Sequence, residues 1–169
     1  MNTININYFS RAETWLCITT LIYFLMNGAQ IFETFVIVPK WTAAPPESLY
    51  MLQGKYGLDL KTFWITIHSI HEITFIIAIY FCWRIDPLRN SLLILFTIHF
   101  AVRAWTLMYF APSIMEFQKI NLEKGMDLII SNKIFLWRKL NYIRVAIFIA
   151  ISFGLIPLCM NVFKFDMNK

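Results

Sequence analysis

Three histidines, two carboxylates and two arginines fall inside stretches of sequence that are otherwise apolar, and these side chains could do chemistry. His68, His71 and Glu72 stand at i, i+3 and i+4, so a helix puts them on one face. His99 and Arg103 are i, i+4 neighbours, and Asn141 and Arg144 are i, i+3. Asn27, Gln30 and Thr34 form a stripe with Glu33 at its edge. An ionisable group inside an apolar span costs roughly 2.5–3.5 kcal/mol on insertion scales, so each is a functional candidate. A histidine oriented by Glu72 can remove a proton from an acidic carbon or a phenol. Arg103 and Arg144 can stabilise the oxyanion that develops, and do so best in a low dielectric. In this scheme His71 is the base, with His68 and His99 close behind, and Glu72 orients it. Asn27, Gln30, Glu33, Asn141 and Arg144 are then the candidate substrate contacts.

Two other chemistries fit the same residues. His68, His71, His99 and Glu72 are donors of the kind that bind iron, manganese or zinc, or a haem. Their spacing is neither the Glu-x-x-His repeat of di-iron bundles nor the His-Glu-x-x-His of zinc peptidases, and two arginines nearby oppose a cation. No cofactor is therefore favoured, with haem or iron as the alternative. Arg103 and Arg144 also suit a small anion to be bound or transported, although no inverted repeat is visible. The plainer account of any one residue is structural: a buried ion pair can fix helix register, and a histidine can simply pack. A set of this size needs a stronger reason than register.

The elements that must position these residues follow from composition. Of 169 residues 59% are hydrophobic and only 15% charged, with a mean hydropathy of +0.59. That is too little charge to cover a water-facing surface. A helix needs about 20 apolar residues to cross hydrocarbon, and open strands cannot cross it. Four segments qualify: 14–38, 62–83, 88–111 and 140–162. The sequence thus predicts one all-α domain over 1–169, a four-transmembrane-helix bundle, with a short surface helix near Ser113–Lys124. The first segment is too long and too polar for a signal peptide.

Arg84-Ile85-Asp86-Pro87 makes a tight turn, on the same side as both termini (side A); the longer loops, 39–61 and 112–139, lie on side B. At about 1.5 Å per residue, Glu33, His68, Arg103 and Arg144 all lie about 8–14 Å in from side B. The matched depth predicts a polar cavity within the bundle, open towards side B. Glu33 and Glu72 can offset Arg103 and Arg144 there. Eight lysines and arginines on side B against five on side A favour side B as cytoplasmic by raw count. The compact pair of arginines flanking the tight turn instead favours cytoplasmic termini in an inner cell membrane, the orientation taken here. The net charge of +5 lies at span edges, so it signals headgroups and not nucleic acid. Partners are then the lipid bilayer, a small lipophilic substrate and, for oligomerisation, a second copy. Cys17, Cys82 and Cys159 lie in separate spans and read as packing residues, not a cluster.

Trp137, Asn141 and Arg144 open the last span as Trp-x-x-x-Asn-x-x-Arg. With Asn27-Gly28, Val38-Pro39-Lys40-Trp41 and Pro45-Pro46-Glu47-Ser48-Leu49, this resembles the anthrone oxygenase-like family of small four-helix membrane proteins. The resemblance implies a four-helix membrane fold and, for the members with a named activity, oxidation of anthrones to anthraquinones by dioxygen without an obvious cofactor motif. It carries over only Trp137, Asn141 and Arg144. The set His68, His71 and Glu72 has no counterpart in the family pattern, and Tyr109-Phe110-Ala111-Pro112-Ser113 stands where an Asn-Pro-rich segment is expected. The function that follows is a membrane oxidoreductase acting on a small lipophilic phenolic or quinoid compound.

Overall fold

The structure is a computed structural model describing residues 6–122 and 127–167, with side chains described for 8–122 and 127–162. Its elements are α1 (Ile6–Phe32), a π turn (Glu33–Ile37), α2 (Val38–Trp41), a 3-10 turn (Glu47–Leu52) and α3 (Leu60–Cys82). Then follow α4 (Asp86–Trp105), a second π turn (Thr106–Phe110), α5 (Ala111–Phe117) and α6 (Leu128–Met167). No strand occurs among the described residues. Four helices are long and apolar enough to cross a membrane: Tyr8–Trp41, Leu60–Cys82, Asp86–Phe117 and Leu128–Val162.

The helices outrun the apolar spans. The first continues past Pro39 to Trp41, the third runs past Pro112 to Phe117, and the fourth begins twelve residues before Leu140, at Leu128. The segment predicted as a surface helix is in its first half the end of the third helix; residues 118–122 turn away from it, and Lys124 lies outside the described residues. Proline explains the miss. A helical proline lacks an N–H, and its ring collides with the carbonyl four residues back. For Pro39 and Pro112 that carbonyl belongs to Phe35 and Met108, each inside a π turn. Widening the helix by one residue at these points relieves the collision, so the helix bulges instead of stopping.

Local signals set the other ends. Asp59 caps α3, accepting from the Lys61 N–H at 3.1 Å. Pro87 stands in the first turn of α4, beside an Asp86–Arg89 ion pair of 3.0 Å. The backbone N–H of Arg84 in the tight turn donates to Tyr8 Oη at 3.1 Å, tying it to the start of the first helix.

The inward face of the first helix is a single stripe: Ala12, Leu16, Thr19, Tyr23, Met26, Asn27, Gln30, Thr34, Val38 and Trp41 are all buried. It packs mainly on α3 and α6, and α4 closes the bundle against α6. Two apolar clusters result. One, towards side A, is built on Leu16, Tyr23, Phe75, Leu92, Phe148 and Leu155. The other, towards side B, is built on Val38, Trp41, Leu49, Phe110, Phe117 and Trp137. Between them runs a belt of buried polar residues, including Asn27, Gln30, Thr34, His68, His71, His99 and Asn141. The outside is apolar as well, with Leu25, Ile73, Phe100, Leu107 and Met108 all exposed.

Candidate functional site

Three helices bring the histidines together. On α3, His68 and His71 point inward one turn apart, and on α4 His99 meets them. The first helix contributes Tyr23, which is fully buried. Its hydroxyl lies 3.1 Å from His99 Nδ1. Its ring stands edge-on to His71 with centroids 4.3 Å apart, and the His71 and His99 rings are 4.7 Å apart. These are contact distances, so rings fill this level where the sequence suggested an open cavity. His68 lies to one side, between Trp64 and Phe148 at 5.5 and 6.1 Å.

Glu72 departs from its expected role. One residue on from His71, it is turned about 100° around the helix and points out of the bundle. It does not orient His71. Instead its carboxylate accepts from Arg103 Nε at 2.8 Å, and the same oxygen lies 4.0 Å from His99 Nε2. A hydrogen-bonded series therefore runs from Arg103 to Glu72, across a short gap to His99, and on to Tyr23. Where Nδ1 carries the ring proton it donates to the Tyr23 hydroxyl and Nε2 keeps a free lone pair; where Nε2 carries it, Nδ1 accepts from Tyr23 instead. His99 is thus hydrogen-bonded at Nδ1 alone, with Nε2 facing the Glu72–Arg103 pair, whereas both ring nitrogens of His71 lack a protein partner.

The second part of the belt is built on the last helix. Asn141 Nδ2 donates to Thr34 Oγ1 at 3.0 Å, and its Oδ1 accepts from Arg144 Nη2 at 2.6 Å. Trp137 Nε1 donates to the Phe110 carbonyl at 3.3 Å, and the Arg144 guanidinium lies over the Phe110 ring, 4.5 Å from its centroid. The stretch 137–144 thereby receives both π turns, one at Thr34 and one at Phe110. Glu33 lies in the field of Arg144 without forming a close ion pair. The predicted charge balance is therefore half direct, through Glu72–Arg103, and half through space.

Asn27 donates to the Phe148 carbonyl at 3.1 Å and to Ser152 Oγ, which fixes α1 on α6. Several buried side-chain atoms have no protein partner: Asn27 Oδ1, Gln30 Oε1, His68 Nδ1, His99 Nε2 and Arg144 Nε, besides the nitrogens of His71. Buried polar groups are nearly always hydrogen-bonded, so the belt has capacity for partners from outside the chain. Among the described residues no three His, Cys, Asp or Glu side chains are disposed to hold a metal ion. With Glu72 turned to Arg103, the alternative ligand set of His68, His71, His99 and Glu72 is not formed here.

Sequence reasoning passed over Tyr23 and Trp64. Tyr23 stands one turn before Asn27 on the buried stripe, and Trp64 one turn before His68, so helical phase held the signal for both. The cysteines stay unbonded, and Cys159 Sγ lies 3.2 Å from the hydroxyl of Thr20, three residues after Cys17 on the first helix. No protein-family model matches the chain, and no curated protein or solved structure matches it either.

Proposed function

We propose that the protein is a multi-pass membrane oxidoreductase that acts on a small lipophilic phenolic or quinoid compound in the polar belt of its bundle. The observation that carries this reading is the series Arg103–Glu72–His99–Tyr23, an imidazole hydrogen-bonded to a buried hydroxyl with its second nitrogen facing an ion pair inside an otherwise apolar bundle. His99 is the base. With the ring proton on Nδ1, its Nε2 takes a proton from the substrate's diaryl CH2 carbon, whose acidity comes from the carbonyl conjugated with it through the rings. Arg103 and Arg144 stabilise the enolate or phenolate oxygen. Dioxygen is the oxidant: a CH2 group becomes a carbonyl, one oxygen atom entering the product and the other leaving as water with the two hydrogens. Asn27, Gln30 and Asn141 contact the substrate's polar atoms, and the resemblance to the anthrone oxygenase-like family supports this substrate class.

The four helices cross an inner cell membrane with both termini cytoplasmic. Their apolar outward faces and the aromatic residues at the helix ends support insertion. The test is dioxygen uptake and quinone absorbance with anthrone and related phenols, using the full chain in lipid nanodiscs. His99→Ala and Arg103→Ala, each still folded by circular dichroism, should lower turnover at least about 100-fold, within the range for losing an acid–base group. Unchanged turnover in both variants removes the proposal.

A further inference from the structure

The Glu72–Arg103 pair is oddly placed for a charged pair in the middle of two apolar helices. The Glu72 side chain is 39% exposed and that of Arg103 15%. Along α3 the residues above and below Glu72 on the outer face are Ile65 and Ile76, both more than half exposed. Arg103, near the end of α4, is bracketed in the same way by Phe100 and by Leu107 of the second π turn, 64% and 61% exposed. The pair therefore opens onto an apolar outer surface, where charge is costly unless something polar meets it. Directly behind it is His99 Nε2, buried, without a hydrogen-bond partner and 4.0 Å from the Glu72 carboxylate. Arg103 engages Glu72 through Nε. Its two terminal nitrogens have no protein partner among the described residues.

We propose that the seam between α3 and α4 is a lateral portal from the bilayer into the polar belt, with the Glu72–Arg103 pair as its gate. It admits a lipophilic molecule whose polar end is a weakly acidic hydroxyl. The hydroxyl donates to Glu72 and its oxygen accepts from Arg103, so the ligand replaces the gate's own hydrogen bond while its apolar body stays among Ile76, Phe100 and Leu107. Entry then brings the molecule's polar end into the belt beside His99 without passage through water. This inference rests on the proposed ligand site in the belt and adds its entrance and the polar group it selects. The competing occupant of the seam is a second copy of the chain.

The experiment uses the full chain in phosphatidylcholine nanodiscs and two photoreactive probes, a diazirine-bearing long-chain alkylphenol and its methyl ether, with labelled residues mapped by mass spectrometry. The phenol should label the seam around Ile76 and Phe100 about tenfold more than the ether, the ratio one charge-assisted hydrogen bond gives. Glu72→Leu/Arg103→Leu, which removes both charges together, should abolish that enrichment and leave labelling of the other outer faces unchanged. Should that variant fail to fold, Ile76→Trp and Phe100→Trp narrow the mouth and should each lower the enrichment. Equal labelling by phenol and ether overturns the portal, as does enrichment that survives in the variants. A dimer by native mass spectrometry whose seam is protected from both probes overturns it in favour of the second copy. Turnover in the same discs separates the two proposals. Seam enrichment without turnover keeps the portal and removes the oxidoreductase, and turnover without enrichment does the reverse.

Discussion

Replacing Glu72 and Arg103 by leucine, singly and together, reads the environment of the gate directly. The two charged groups meet at 2.8 Å, with 39% and 15% of their side chains exposed. If the exposed portion faces water, the pair behaves as a surface ion pair, worth about 0.2–1 kcal/mol. If it faces hydrocarbon, no solvent screens it. Removing one partner then strands the other, and costs of about 3–5 kcal/mol are typical of a broken buried pair. Coulomb's law gives a similar figure, about 4 kcal/mol at 4 Å with an effective dielectric of 20. Each single variant should therefore lose about 3 kcal/mol, while the double variant loses about 1 kcal/mol or less, because apolar side chains suit an apolar surface. The interaction energy from the cycle is then about 5 kcal/mol. Equilibrium unfolding in bicelles by steric trapping measures all four proteins. Additive single effects, with a coupling below about 0.5 kcal/mol, would show a pair bathed in water and refute the placement of this seam in the lipid.

Two further changes test the belt. Tyr23→Phe keeps the ring contacts but removes the hydroxyl that lies 3.1 Å from His99 Nδ1. It should cost about 1–2 kcal/mol in the same unfolding measurement and lower turnover through misorientation of His99, with little change in KM. Asn141→Leu takes away the acceptor of Arg144 and the partner of Thr34, and should cost about 2–3 kcal/mol; Asn141→Asp, which still accepts from Arg144, should recover part of that loss.

The four spans and their inward stripes were legible because hydrophobic periodicity is imposed along whole helices. The phase that buries Asn27, Gln30 and Thr34 also buries Tyr23, but a tyrosine among apolar residues carries no sign that its hydroxyl matters until His99 is seen opposite. Glu72 shows the limit of counting at i, i+3 and i+4. It shares a broad face with His68, yet one residue separates it from His71, and that rotation decides between a place inside the bundle and one on its rim. The helix ends were misjudged for a different reason. Pro39 and Pro112 look like stops in sequence, and only the surrounding packing, with Trp137 donating to Phe110 and Asn141 to Thr34, makes a bulged continuation the better solution.

Those bulges bear on how this chain tolerates changes in length. A π turn holds one residue more than the α-helix it interrupts, so losing one residue there restores regular winding without rotating either flank relative to the other. Elsewhere in a span the same loss turns every later side chain by about 100° and empties the inward stripe. Single-residue deletions among the outward-facing positions Phe35, Val36, Leu107 and Met108 are therefore the ones the bundle can absorb. The neighbours of the histidines have no such slack.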